Sequence, residues 1–200
     1  MAKLNAGEGR RRGSRDNYSR PLKLSDGRSA ILRSMTAADK QAVLNFARSL
    51  PQDDLLFLRT DITEAAMVDE WLRNIERGAT VTALADIGEH LAGYASLHTE
   101  QAQWTRRVGE IRVQVGRPYR GVGLGRQLAA EIFRLGQARG IKKMAAMMTP
   151  DQTGARAAFE RLGFQVEALL QDWVVDRDGR SRDLLLMSHD VETLREHLDA

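Results

Sequence analysis

Three glycines in five residues, Gly121, Gly123 and Gly125, stand in the run RPYRGVGLGRQLAAEIF (117–133), just ahead of a segment with helical period. Glycines this dense weaken the interior of any helix or strand, so the backbone here must approach something closely. A strand, a glycine turn and a helix start in succession make an anion site, because unpaired amides and the positive end of the helix dipole point to one place. Spacing narrows the choice. A dinucleotide fold needs G-x-G-x-x-G, whereas here the third glycine comes one position early and Arg126 fills the required slot. The ribose-binding acid about 20 residues on is also missing, since that region reads GIKKMAAMM. The G-x-x-x-x-G-K-[ST] loop of nucleotide hydrolases is absent as well.

The elements around the glycines follow from periodicity. RSAILRSM (28–35) predicts a first strand, and Thr36 offers an N-cap to a helix in which Val43, Leu44, Ala47 and Leu50 recur at helical spacing until Pro51. DITEAAMVDEWLRNIERG (61–78) predicts a second helix, capped by Thr63, with Met67, Trp71 and Ile75 four apart and Gly78 as its stop. Between them PQDDLLFLRT (51–60) is an apolar connector that a plain turn would not need. The period then changes: ATVTALAD, HLAGYASLHTE and VGEIRVQV are three strand-like runs separated by turn residues, an antiparallel meander. Leu124, Leu128, Ile132 and Leu135 mark a third helix, IKKMAAMM a strand, and TGARAAFERLGF a short helix. FQVEALLQDWVVD and RDLLLMSHD form a hairpin turned by RDGR. The order β-α-α-β-β-β-α-β-α-β-β implies an α/β or α+β fold on a mixed sheet.

What remains at the glycines is R-x-x-G-x-G, Arg120 to Gly125, after a strand ending VQV. This resembles the pyrophosphate loop of the GNAT superfamily of acyl-CoA-dependent N-acyltransferases. QTGARAAFERLGF (152–164) is similar to that family's second cofactor segment, with Gln152 at the Asn position, Ala155 at the Ala position and Gly163-Phe164 at its end. The resemblance covers about residues 28–190. It implies a mixed, mostly antiparallel central sheet flanked by helices, whose fourth and fifth strands splay to admit a pantetheine arm. It implies acetyl-CoA as cosubstrate, with the amides of Arg120, Gly121, Val122, Gly123, Leu124, Gly125 and Arg126 on the pyrophosphate and the Arg120 and Arg126 side chains adding charge. Val113 and Val115 would lend backbone groups to the pantetheine, while Gln152 and Phe159 would be further cofactor contacts.

Acetyl transfer to an amine needs a base, because a lysine-like amine has a pKa near about 10.4 and is mostly charged at neutrality. In GEIRVQV, Ile111, Val113 and Val115 share one strand face, so Glu110, Arg112 and Gln114 share the other. Glu110 is the first candidate base, and the resemblance supports it; the plain alternative is that Glu110 merely pairs with Arg112. His98 is a second candidate base. The family's tyrosine acid falls at Phe159, which has no proton to give, so Tyr94 or a water would have to substitute, although a thiol of pKa near about 8.5 can also leave unprotonated. The acceptor site should involve Asp53 and Asp54, which suit a cationic amine, with Trp104 as an apolar wall. The acceptor itself, a small amine, an amino-acid-like compound or a protein lysine, is left open. A non-catalytic acyl-CoA-binding sensor is the alternative function.

Composition sets the remaining bounds. With no cysteine, thiolate zinc sites and a cysteinyl acyl intermediate drop out, so direct transfer in a ternary complex is expected. The four histidines show no metal-ligand spacing, so no metal is expected. Residues 1–33 carry nine of the 30 Lys and Arg but three of the 27 acids, so a basic N-terminal stretch precedes a mildly acidic body. Residues 1–25 read as a disordered tail, 26–190 as the acetyltransferase domain and 191–200 as a polar C-terminal helix. The tail lacks the apolar segment of a secretory signal and no run is long enough to span a membrane, so a cytoplasmic monomer or homodimer is expected. Its Arg10-Arg11-Arg12 run leaves room only for weak nucleic-acid contact.

Overall fold

A computed structural model describes residues 18–55, 60–100, 102–176 and 178–191. Its strands are β1 (Ser19–Lys23), β2 (Ser29–Ser34), β3 (Thr80–Ile87), β4 (His90–Thr99), β5 (Val108–Val115), β6 (Lys143–Met148), β7 (Gln165–Val175) and β8 (Ser181–Asp190). Its helices are α1 (Lys40–Ser49), α2 (Gln52–Leu55), α3 (Ala65–Glu76), α4 (Leu124–Ala138) and α5 (Thr153–Arg161). All eight strands form one sheet in the order β1-β2-β3-β4-β5-β6-β8-β7. Among the described residues only the β5–β6 pair is parallel, as expected where a helix connects two strands.

The central strands β3 and β4 are buried in continuous runs, and their successive side chains point alternately into two clusters on opposite faces. Ala83, Ala85, Ala95, Leu97 and Ile111 pack under α4 with Leu124, Leu128 and Ile132. Leu84 and Tyr94 face the other way, into a cluster with Val43, Leu44 and Phe46 of α1 and Val68 and Trp71 of α3. The Trp71 indole N–H donates to the Thr82 hydroxyl at 3.0 Å, which satisfies its polar handle in a buried place. The meander, α4 and the C-terminal hairpin fall where periodicity put them.

Two expectations need correction and one is met. The tail expected over 1–25 is not structureless to its end, because Ser19–Lys23 is strand β1, paired antiparallel with β2. Pro21 is tolerated there because β1 is an edge strand, and Leu22 and Leu24 pack into the core. Residues 1–17 and the C-terminal segment after Val191 lie outside the described residues. Thr36 does hold the N-cap position of the helical turn, Ala37–Asp39, that leads into α1, and its amide and hydroxyl both donate to Asp39 Oδ2, at 2.7 and 2.9 Å. Thr63 does not cap α3. Glu64 holds that position, while Thr63 donates its amide and hydroxyl to Asp61 Oδ1 at 3.0 and 2.6 Å.

Candidate functional site

The sheet opens at β5 and β6. Their pairing runs over three positions, Val108↔Lys143 to Glu110↔Ala145, and then the strands diverge. A cavity of about 430 Å³ fills the opening, within the range of small-molecule sites. Residues 110–114 of β5 form one wall and 147–149 at the end of β6 another; Gln152, Ala155 and Phe159 enter from α5 and its N-cap, and Asp54 from α2.

The glycine turn sits at the end of β5. Gly116 leads into a 3-10 turn, Arg117–Tyr119, and the chain then passes through Gly121 and Gly123 at φ of 77° and 85° to reach α4. Those two glycines are explained by backbone conformation, which side-chain-bearing residues adopt at a cost. Gly125 differs: a Cβ there would meet Val115 Cγ2 at 3.6 Å and Val113 Cγ1 at 4.0 Å, ordinary contact. Gln127 N–H reaches back to Gly123 O at 3.1 Å, and the amides of the first turn ahead of it have no carbonyl one turn back. With the helix dipole they make the start of α4 suited to an anion.

The candidate residues divide. Glu110, Val113, Gln152 and Phe159 share the cavity wall. Val115, the last residue of β5, and the loop 120–126 that follows do not line it; Arg120 pairs with Asp54 of the wall, and Arg126 stands in the first turn of α4. The Arg120 guanidinium is engaged elsewhere: Nε donates to Val115 O at 2.9 Å, and Nη2 pairs with Asp54 Oδ2. Arg120 thus ties the loop to α2, and the Val115 carbonyl is shared with it. Gln152 Oε1 accepts the Thr149 amide at 3.1 Å, which fastens α5 to the end of β6. Phe159 packs edge-on to Phe164, with ring centroids 4.9 Å apart.

Glu110 accepts from Arg112 Nε at 2.8 Å, with the two side chains 15% and 19% exposed. It therefore both faces the cavity and forms the plain ion pair. His98, opposite Glu110 across the β4–β5 ladder, lies between Ser96 Oγ at 2.8 Å and Thr80 Oγ1 at 3.2 Å. Tyr94 is not a substitute acid at the cavity. Its ring is buried against Phe46 and Trp71, and burial pushes the phenol pKa up. Trp104 is not a wall of the cavity either: it stands 90% exposed in the turn before β5, at the opposite end of that strand from the glycines. The Asp53 side chain and residues 56–59 lie outside the described residues.

Sequence reasoning missed the far wall. Trp173, Val174, Val175 and Asp176 of β7 and its turn, with Arg182 and Leu184 of β8, complete the cavity. Register explains their placement, since Leu170↔Leu184 is followed by Val174↔Arg182, leaving three residues of β7 opposite one of β8. Asp172 in this bulge has φ 50°, and its amide donates to Asp183 Oδ1 at 3.0 Å. Trp173 is 66% exposed beside the opening.

Comparison with known proteins bears on this geometry. The family model described as "Acetyltransferase (GNAT) family" matches residues 44–164. No curated protein sequence matches the chain. Among solved structures, the ribosomal-protein-alanine N-acetyltransferase from Brucella melitensis is 25% identical with a TM-score of 0.71, covering 80% of this chain and 98% of that one. The GNAT domain of S. lividans PAT is 18% identical with a TM-score of 0.72, covering 86% and 96%. A Salmonella typhimurium protein, yncA, solved with its cofactor acetyl-CoA, is 20% identical with a TM-score of 0.71, covering 80% and 92%.

Proposed function

The chain belongs to the acetyltransferase (GNAT) family, and from that premise we propose that it transfers an acetyl group from acetyl-CoA directly to a primary amine. The observation that carries the reading is the splay of β5 from β6, which opens a cavity holding Glu110 beside a glycine loop at a helix N-terminus. These residues fit the cosubstrate. The turn leaves backbone amides for a pyrophosphate, and β5 runs past Glu110 beyond its pairing with β6, as an extended pantetheine arm requires.

Acetyl-CoA supplies the activated acetyl group. The chain supplies position and proton handling. Amides 121–126 hold the diphosphate, residues 113–115 line the arm, and Glu110, directly or through water, takes the proton that the ammonium must lose. The bond from Arg112 fixes the direction of the Glu110 carboxylate. Phe159 donates no proton, so the thiol leaves as thiolate or takes its proton from water. The acceptor enters between α2 and the β7 bulge, with Asp54 and Trp173 as its neighbours. Similarity to an N-acetyltransferase of a ribosomal protein supports a protein or amino-acid-like amine among the candidates.

Free-thiol release from acetyl-CoA with a panel of polyamines, amino acids, aminoglycosides and lysine peptides tests this, against no thiol background from a chain without cysteine. Acceptor-dependent release is expected. Glu110→Gln should lower it most at low pH, where fewer amines are already deprotonated, while sparing CoA affinity. CoA binding with no transfer to any acceptor would favour the second reading, an acyl-CoA sensor, for which Phe159 in the cavity wall speaks.

A further inference from the structure

The hairpin of β1 and β2 precedes the residues that match the family, 44–164, yet its turn touches the glycine loop. Ser25 N–H donates to Val122 O at 3.3 Å. Arg28 Nη2 donates to Pro118 O at 3.2 Å, and the same guanidinium lies 5.2 Å from the centroid of the Tyr119 ring. Leu24 is buried in the cluster that contains Leu124, and Val122 packs against that cluster. Arg28 is aimed by its own turn. Asp26 takes its Nε at 2.5 Å and its amide at 3.1 Å, and Gly27 at φ 86° lets Leu24 N–H close onto Arg28 O at 2.9 Å.

The other end of the hairpin is fastened to the helix behind the loop. Glu131 of α4 has a side chain only 2% exposed and pairs with Arg20 of β1 at 3.1 Å and with Arg134 at 2.6 Å. A buried carboxylate is tolerated only with such partners. Arg134 in turn lies 5.5 Å over the Tyr18 ring. One hairpin thus grips both parts of the anion site, the loop through Ser25 and Arg28 and the helix through Arg20.

The need for a grip follows from the loop's composition. Gly121 and Gly123 have the largest backbone freedom to lose when a ligand is bound, and a loop already held in its bound shape binds more tightly because that ordering is done beforehand. We propose that the β1–β2 hairpin is a brace that pre-forms the loop for a diphosphate, with Arg28 as its positioning residue. The diphosphate is that of a CoA-type carrier, so this inference rests on the cofactor reading above. Arg28 acts through Pro118 and Tyr119 and touches no reacting atom.

The test compares full-length protein with Arg28→Met, which keeps an unbranched stem close in length to that of Arg28 and removes the guanidinium. Amide hydrogen exchange of the ligand-free proteins, read on segments 117–126 and 128–138, comes first. The brace predicts exchange faster by roughly three- to tenfold in the first segment, the loss of one solvent-exposed hydrogen bond, and unchanged exchange in the second. Titration with CoA and with pantetheine, which lacks the diphosphate, follows. CoA should bind roughly three- to tenfold more weakly to the variant, and pantetheine equally to both. Equal loop exchange in the two proteins overturns the proposal, as does equal weakening of both ligands. If the wild-type protein binds no CoA, the cofactor reading falls and the exchange comparison alone decides the brace.

Discussion

Alanine substituted at position 123 and alanine substituted at position 125 should have opposite effects, although both replace a glycine of the same motif. At Gly123 a Cβ would find open space, so the cost lies wholly in the backbone, which holds φ at 85°. A non-glycine residue in that region costs about 1–2 kcal/mol. The loss of unfolded-state freedom returns about 0.4–1 kcal/mol, which leaves a net destabilisation of about 1 kcal/mol. At Gly125, inside the first turn of α4, the Cβ makes ordinary contacts at 3.6 and 4.0 Å. Helix propensity then favours alanine by up to about 1 kcal/mol. The two variants should differ by about 1.5–2 kcal/mol in stability, or roughly 3–8 °C in Tm for a chain of this size. Calorimetry of the ligand-free proteins measures the first part, and CoA titration the second. Gly123→Ala should weaken CoA binding by up to about tenfold if the loop relieves its strain by moving, since each 1.4 kcal/mol is a factor of ten. Gly125→Ala should leave CoA binding as in wild type. Equal Tm values, or a Gly125→Ala protein less stable than Gly123→Ala, would refute the assignment of the two glycines to different causes and leave the motif unexplained by the fold.

Other outcomes follow from the same site. In Asp54→Asn the Arg120 guanidinium loses its carboxylate partner and can turn to an anion in the loop. The pair is 22% and 42% exposed, so after solvent screening it is worth about 0.2–1 kcal/mol. CoA should therefore bind more tightly by up to about fivefold at low salt, with the gain shrinking as salt rises; weaker binding would mean that Arg120 serves the fold alone. Phe159→Tyr places a hydroxyl on a ring that already lines the cavity. It should raise turnover, toward the about 10²–10⁴ that a positioned acid contributes, and an unchanged rate in a protein of wild-type stability would remove proton donation to the thiol from the mechanism.

Most of the fold is legible in the sequence because its signals are local. Val43, Leu44 and Ala47 repeat at helical spacing, Ala83-Leu84-Ala85 and Tyr94-Ala95 alternate between two cores, and the glycine run marks the start of α4. Strand β1 escapes such a reading because its apolar content is slight and Pro21 argues against a strand. The edge position that admits Pro21 is a property of the sheet, and no sequence window contains it. Period alone puts Glu110 on one strand face with Arg112 and Gln114, while the cavity is lined by residues of both faces, Glu110 to Gln114. Period does not separate service to the cavity from pairing with Arg112, and the geometry gives both, since the ion pair itself lies in the cavity wall.

The far wall is illegible for a different reason. EALLQDWVV reads as one continuous strand, and an unbroken ladder would carry its period through Trp173. The bulge interrupts it, with three residues opposite one, and so re-aims Trp173 toward the opening. Aspartate is among the few residues that tolerate φ 50°, because its short polar side chain can bond locally. A conformation of this kind persists only where its surroundings over-determine it, and here Asp183 Oδ1 holds the Asp172 amide while Asp176 and Arg182 pair beyond it at 3.6 Å. Asp183 comes from the opposite strand, 11 residues away through a turn, so no local pattern announces it. The glycine turn is written in a motif and the far wall of the cavity in a register shift.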